Sequence, residues 1–404
     1  MKILHSADWH LGKLLENRTR YDEQRHFIDE IVEIIKKENI DMVIIAGDIY
    51  DTSNPSATAE TMFFDAMVKL TLERTVPIVL ISGNHDSPLR LLAGSDMLKE
   101  YGVFIAAGQL QDFDMNFGAY HICSDENGAV IIDKNGEKAV IAPLPYVSDK
   151  RINEMIHSLG DDGENSLSYS DKVKELMEKL SRGFREDTIN VVVAHLFTMD
   201  GLESTSERKI QLGGSYAVDV NAFPEKADYI ALGHLHKPQT VPGLDKRGFY
   251  SGSPIAYSKD ESVYAKAVNI VELKKGSDME IQKLPLSCIK PIEVYKCNSI
   301  EEAIEKCKIN AGIESYVYID IKSDRPLLME EIRTMKSYKA DILETRVLID
   351  GQDDEEVLDI EEMTISENFI DFYKKKRGCE PDEETLETFL SIMGEGDTDE
   401  TFDA

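Results

Sequence analysis

Five short motifs carry side chains of the types that bind metal ions. Asp8-Trp9-His10 sets a carboxylate and an imidazole at i and i+2, on one side of an extended segment. In Gly47-Asp48-Ile49-Tyr50-Asp51 an acid follows an apolar run, and Gly47 permits close backbone approach. Gly83-Asn84-His85-Asp86 follows another apolar run, and His195 ends the run Val191–Ala194. Gly233-His234-Leu235-His236 repeats the i, i+2 spacing. Each fragment alone has an ordinary reading. A single DxH can be a surface pair, Asn84 a turn residue, and His195 a satisfied buried histidine. Together they supply Asp, His and Asn at successive predicted strand ends, and that conjunction points to one metal site.

The elements that must position these residues read clearly at the start of the chain. Lys2–Ala7 reads as a strand ending at Asp8. Arg18–Glu38 reads as a helix, with Phe27, Ile28, Ile31, Val32, Ile34 and Ile35 on one face. Met42–Ala46 is a buried strand, Ser56–Glu73 a helix with Ser56 as its cap, and Pro77–Ile81 a third strand. Such alternation implies a parallel sheet with right-handed crossovers, whose functional groups gather beyond the carboxyl ends of the strands. Asp8, Asp48 and Asn84 lie there.

The middle is richer in strands, with 119–123, 129–132 and 139–142 joined in part by an Asn135-Gly136 hairpin. A helix over 171–180 and strands at 190–194, 229–232, 250–254 and 265–273 follow. The order fits two packed sheets with helices outside. Near 286 the pattern restarts as a small α/β module: strand 292–295, helix 299–308, strand 316–321, helix 328–336 and strand 342–348. An acidic linker over 351–362 then precedes two short helices, 366–377 and 383–393.

Length and composition bound the answer. The 404 residues suggest two or three domains, and 42% apolar with 30% charged residues is globular composition. No stretch approaches the roughly 20 apolar residues of a membrane helix. Asp8 and His10 interrupt any signal-peptide core, so a soluble, cytoplasmic protein is expected. The five cysteines, Cys123, Cys288, Cys297, Cys307 and Cys379, form no CxxC pair and support neither a disulfide framework nor a thiolate zinc site. Net charge is −31, but residues 351–404 hold 19 Asp/Glu against 4 Lys/Arg, so about half of the excess sits in the tail. The charge weakens a nucleic-acid reading without excluding it, because a cleft holding divalent cations still attracts a phosphodiester.

DxH, GDxxD, GNHD, a strand-end His and GHxH, in that order, resemble the calcineurin-like metallophosphoesterases over residues 1 to about 280. HSADWHLGK, GDIYDTSNPS, SGNHDSP and ALGHLHKPQ are similar to the SbcD branch of nuclease subunits within that superfamily. The resemblance implies an α/β fold: two packed mixed β-sheets flanked by helices over 1–285, a small α/β cap that binds DNA over 286–350, and an acidic linker with a C-terminal helix pair over 351–404.

It implies two metal ions, one held by Asp8, His10 and His236 and the other by Asn84, His195 and His234, with Asp48 bridging. Mixed oxygen and imidazole ligands suit Mn²⁺, Fe²⁺ or Zn²⁺; the family favours Mn²⁺, and Mg²⁺ is a further alternative. His85 would be catalytic, stabilising the transition state or protonating the leaving oxygen, and Asp51 would orient it. Asp86 is a hydrogen-bond acceptor behind them or a more direct participant. Arg18, Arg20, Arg25 and Arg90 are candidates for phosphate contacts or ordinary salt bridges, and His5, His26, His121 and His157 for packing or exposure.

The implied activity is 3′→5′ exonuclease and single-strand endonuclease in an ATP-dependent DNA repair complex. The implied partners are DNA, an SbcC-type ABC ATPase held through 366–393, and a second copy held through helices near 56–73 and 88–98. A nucleotide phosphodiesterase or phosphoprotein phosphatase is the rival reading, and a scaffold with a silent metal site a more distant one.

Overall fold

A computed structural model describes residues 1–108, 112–148, 152, 168–199, 201–202, 206–207, 217–348, 381 and 385–386. Two compact units divide the chain, 1–321 with 328–346, and 322–327 with 347–404. All five metal-type motifs lie in the first. Among the described residues no helix is long and apolar enough to cross a membrane.

The strands Lys2–Ser6, Met42–Ala46, Ile78–Ile81 and Val103–Ala106 pair in parallel in that order. Ala267–Glu272 adds to the free edge of the first strand antiparallel, and Glu280–Pro285 closes that side, giving a six-stranded sheet. The helices Tyr21–Glu38 and Ala57–Leu70 cross between the parallel strands. Ser56 caps the second, its side chain accepting from the Ala59 N–H at 3.2 Å.

Every residue of Met42–Ala46 is buried, because the strand is covered on both faces. Val43 and Ile45 pack with Phe27, Ile31, Phe63 and Leu70 of the helices. Met42, Ile44 and Ala46 face a second, eight-stranded sheet through Val191, Val193, Tyr229 and Ala231. That sheet has Glu137–Leu144, Ile189–His195, Tyr229–Gly233 and Gly248–Tyr250 in parallel at its centre. The helix Tyr169–Leu180 covers its outer face. The result is a helix–sheet–sheet–helix sandwich, as expected.

Asn135 and Gly136 both take left-handed φ (56° and 81°) in the hairpin between Val130–Lys134 and Glu137–Leu144. One expectation shifts: the first helix begins at Tyr21. Arg18-Thr19 instead pairs with Leu14-Leu15 in a two-stranded hairpin turned by left-handed Glu16 and Asn17.

The module after residue 291 is a three-stranded sheet, Ile292–Cys297, Tyr316–Lys322 and Ile342–Leu348, with helices Ile300–Ile309 and Met329–Tyr338. Tyr316 sits between two cations, with Arg20 5.0 Å and Lys290 4.3 Å from its ring centre. Lys259 donates to Asp320 at 2.9 Å.

Candidate metal centre

The two sheets meet with the carboxyl ends of their parallel strands on one side, and the motif residues converge there. The DxH pair is not on an extended segment. The strand stops at Ser6, and Asp8 (φ 55°) and His10 (φ 43°) are both left-handed. Between them Trp9 turns fully into the core, edge-on to Phe27 at 5.5 Å. Burial of this indole sets the bend, and the bend aims Asp8 and His10 away from the helices.

The turn is zipped to the next loop. The N–H groups of Asp8, His10 and Leu11 donate to the carbonyls of Gly47, Asp48 and Ile49 at 3.0, 3.0 and 2.8 Å. Asp48 (φ 51°) and His234 (φ 110°) are strained in the same sense. Strain concentrated at four of seven candidate ligands is typical of a functional site held by its surroundings.

Two positions require glycine because the loops pass so closely. A Cβ at Gly233 would lie 1.9 Å from the Ala46 carbonyl oxygen, and one at Gly83 would lie 2.1 Å from Asp48 Oδ1.

The candidate ligands form two neighbouring groups, and His10 also groups with Asp51 and His85. Asp8, His10 and His236 bring ligand atoms within 4.8 Å of one another, as do Asp48, His195 and His234. All six are at most 3% exposed. Asn84 Oδ1 joins the second group, 3.0 Å from His195 Nε2 and 3.2 Å from His234 Nδ1. Asp48 Oδ2 stands between the groups, 3.6 Å from His10 Nε2 and 3.5 Å from His195 Nε2. His10 Nε2 and His236 Nε2 face each other at 2.9 Å. His195 Nδ1 donates to the Ala46 carbonyl at 2.8 Å, which leaves Nε2 as the ring nitrogen that faces the site.

The residues fit a cation. Asp8 Oδ1 accepts the His234 N–H at 2.9 Å, whereas Asp8 Oδ2 is buried with no hydrogen-bond partner. An orphaned buried carboxylate oxygen is costly unless a positive group completes it. Burial pushes the Asp8 carboxyl up to about 7 and the His234 imidazole down to about 3, and holds His10 well below its usual range. Burial also disfavours charge on His195 and Asp48. Their mutual attraction outweighs it, lifting His195 to about 9 and holding Asp48 well below the carboxylate range. A cavity that resists charge on isolated groups, yet gathers two carboxylates and four imidazoles, is built for divalent ions.

His85 stands beside this cage. Its ring meets His10 edge-on at 4.7 Å, and its Nδ1 donates to the Asp51 main-chain carbonyl at 2.6 Å. The Asp51 carboxylate lies 4.0 Å from that nitrogen and accepts from Lys13 Nζ at 2.8 Å. Asp86 holds the loops, its carboxylate accepting the N–H groups of Gly83, Tyr50 and Ile49 at 2.8, 2.9 and 3.1 Å.

The candidate arginines make ion pairs: Arg20 with Glu23, Arg25 with Asp22, Arg90 with Glu60 and Arg18 with Asp341. His5 is buried against Tyr229, while His26 contacts Ser287 and His121 contacts Asp114. His157 lies outside the described residues. Two residues beside the site carried no sequence signal of their own, Lys13 and Glu261. The latter lies 3.2 Å from His236 Nδ1.

The family model for calcineurin-like phosphoesterases matches residues 1–238. A Bacillus subtilis (strain 168) protein, named as the SbcD component of the nuclease SbcCD, is 34% identical over 395 residues, 97% of this chain and 97% of that protein. Among solved structures, an archaeal phosphodiesterase matches at 14% identity and a TM-score of 0.30, over 70% of this chain and all of its own. A dimetal phosphatase from Danio rerio matches at 14% identity and 0.39, over 71% and 96%. Neither score is high enough to add weight. On the family model and the match along nearly its whole length, the chain belongs to the calcineurin-like phosphoesterases, in the family of SbcD nuclease subunits.

Proposed function

We propose that the chain is a metal-dependent DNA nuclease, a 3′→5′ exonuclease and single-strand endonuclease in an ATP-dependent end-processing and repair complex. The observation that carries this reading is Asp48 Oδ2, set 3.6 and 3.5 Å from imidazoles of two separate ligand groups. A carboxylate set between the two groups could serve an ion held in each of them. Likeness to a named nuclease over 97% of both chains supports a nucleic acid as the substrate over a nucleotide or phosphoprotein.

In this reading Asp8, His10 and His236 hold one ion, Asn84, His195 and His234 the other, and Asp48 both, with Mn²⁺ preferred. Divalent ions bound there supply Lewis acidity at the phosphate and acidify water. His85 has Nδ1 committed to the Asp51 carbonyl, so Nε2 is the nitrogen left to donate a proton to the leaving oxygen. Lys13 neutralises the Asp51 carboxylate beside the site.

The α/β module over 286–350 is the DNA-facing cap. The helix pair over 366–393 is the anchor for an SbcC-type ABC ATPase; it lies outside the described residues except Pro381, Thr385 and Leu386. For a homodimer through helices near 56–73 and 88–98, the second offers exposed Leu89 and Met97, whereas Met62, Phe63 and Met67 of the first are taken up by the core. The complex acts on DNA in the cytoplasm.

The test is purified protein with Mn²⁺ and labelled single-stranded and duplex DNA. Degradation that stops with chelator supports the reading. Hydrolysis of a phosphomonoester with DNA left intact would overturn it in favour of a phosphatase.

A further inference from the structure

A closed polar network lies behind His236. Its core is Glu261, fully buried in the short turn Asp260–Val263, and Lys266, 8% exposed, just before the strand Ala267–Glu272. That strand runs antiparallel to Lys2–Ser6, with His5 opposite Asn269. Lys266 lies three residues beyond that last pair, toward the metal end of the sheet.

The Lys266 ammonium has three donors and three acceptors: Glu261 Oε2, Ser253 Oγ at 2.7 Å and the His236 carbonyl at 3.1 Å. Glu261 Oε2 also accepts from Ser253 Oγ at 3.1 Å. Its other oxygen, Oε1, faces His236 Nδ1 at 3.2 Å and accepts from Ser206 Oγ, which lies 2.6 Å from the same ring nitrogen. The network therefore grips His236 at its ring nitrogen and its carbonyl. Glu207 Oε1 accepts from its backbone N–H at 2.7 Å.

This arrangement decides the tautomer. A carboxylate has no proton to give, so an imidazole nitrogen beside Glu261 must carry one. Were Nδ1 unprotonated, two lone pairs would face each other at 3.2 Å in a dry interior. With the proton on Nδ1, the Ser206 hydroxyl accepts from the ring and donates to Glu261, and every group is satisfied. Nε2 then presents its lone pair toward His10 Nε2 and Asp8.

A buried ion pair alone is a poor source of stability, since apolar residues of similar size often serve as well. Its placement against a ligand ring gives this one a second use. We propose that Glu261, braced by Lys266, is a positioning residue that fixes His236 in the Nδ1–H tautomer and strengthens its Nε2 as a metal donor. The inference rests on the two-ion reading of the site.

The test uses the full chain, Glu261→Gln, and the double variant Glu261→Gln/Lys266→Met, in which no ammonium is left unpaired. Mn²⁺ affinity is read by titration calorimetry, and ring-nitrogen shifts by NMR of the metal-free protein carrying isotope-labelled histidine. Wild-type His236 should be protonated at Nδ1. The double variant should regain wild-type thermal stability while binding Mn²⁺ about 10- to 100-fold more weakly at one site. A wild-type ring protonated at Nε2, or a double variant with wild-type affinity, would overturn the proposal; the wild-type spectrum decides the matter even where a variant does not fold. Failure of the wild type to take up Mn²⁺ would instead remove the two-ion reading itself.

Discussion

His85 Nδ1 donates to the main-chain oxygen of Asp51 at 2.6 Å, while the carboxylate of the same residue turns to Lys13 at 2.8 Å. This contact predicts that the loop's backbone, rather than the Asp51 carboxylate, orients the histidine. Asp51→Asn, which keeps a partner for Lys13, should stay within about tenfold of wild-type turnover on DNA. His85→Gln should lose about 10²- to 10⁴-fold, the usual worth of a proton-transfer group. Equal losses in the two variants would return the orienting role to the Asp51 side chain.

Asp86 joins the loops that carry Asp48 and Asn84 by accepting three backbone N–H groups. Asp86→Ala leaves those donors buried and unpaired at about 1–3 kcal/mol each. Its midpoint in urea should fall well below that of the Asp86→Asn protein, in which one amide oxygen still accepts. Coincident unfolding curves for the two variants would show that the carboxylate is not the clamp.

Gly233 stands where the two sheets come closest at the site. In Gly233→Ala the new methyl would overlap the Ala46 carbonyl oxygen, 1.9 Å away. Neither backbone can yield without displacing Asp48 or His234. The variant should lose metal binding along with several kcal/mol of stability. A crystal structure with both strands unmoved and metal retained would contradict this.

His5 offers a pH test apart from the ligands. It is fully buried beside Tyr229, and burial lowers its pKa from 6.5 to about 3. Between those values the unfolded chain binds a proton that the folded one refuses, so stability falls as pH drops below 6.5. The slope from this group is about 1.4 kcal/mol per pH unit, levelling off near the folded pKa. In chelator, His5→Gln should show a pH dependence of unfolding weaker by about one proton across roughly pH 6 to 4. An unchanged slope would mean that His5 is protonated in the fold.

Much of this architecture is legible in the residue order, for physical reasons. Met42–Ala46 reads correctly to the residue because five apolar side chains in a row need cover on both faces. Asp8, Asp48 and Asn84 fall beyond strand ends because a parallel sheet leaves its loops there. The bend at Asp8 and His10 was illegible, since it follows from burial of Trp9 against Phe27, a tertiary contact. Glu261 was illegible for a related reason: an acid in a polar turn looks solvated until Lys266 and His236 close over it. The Arg18–Thr19 hairpin is hidden in the sequence because helical periodicity extends a helix backward unless a turn signal stops it, and Glu16-Asn17 is a weak one.

The measurement that bears most directly on the whole account is anomalous diffraction from crystals grown with Mn²⁺. Two peaks should appear, one against Asp8, His10 and His236, the other against Asn84, His195 and His234, both touching the Asp48 carboxylate. A single peak, or two peaks that do not share Asp48, would contradict it.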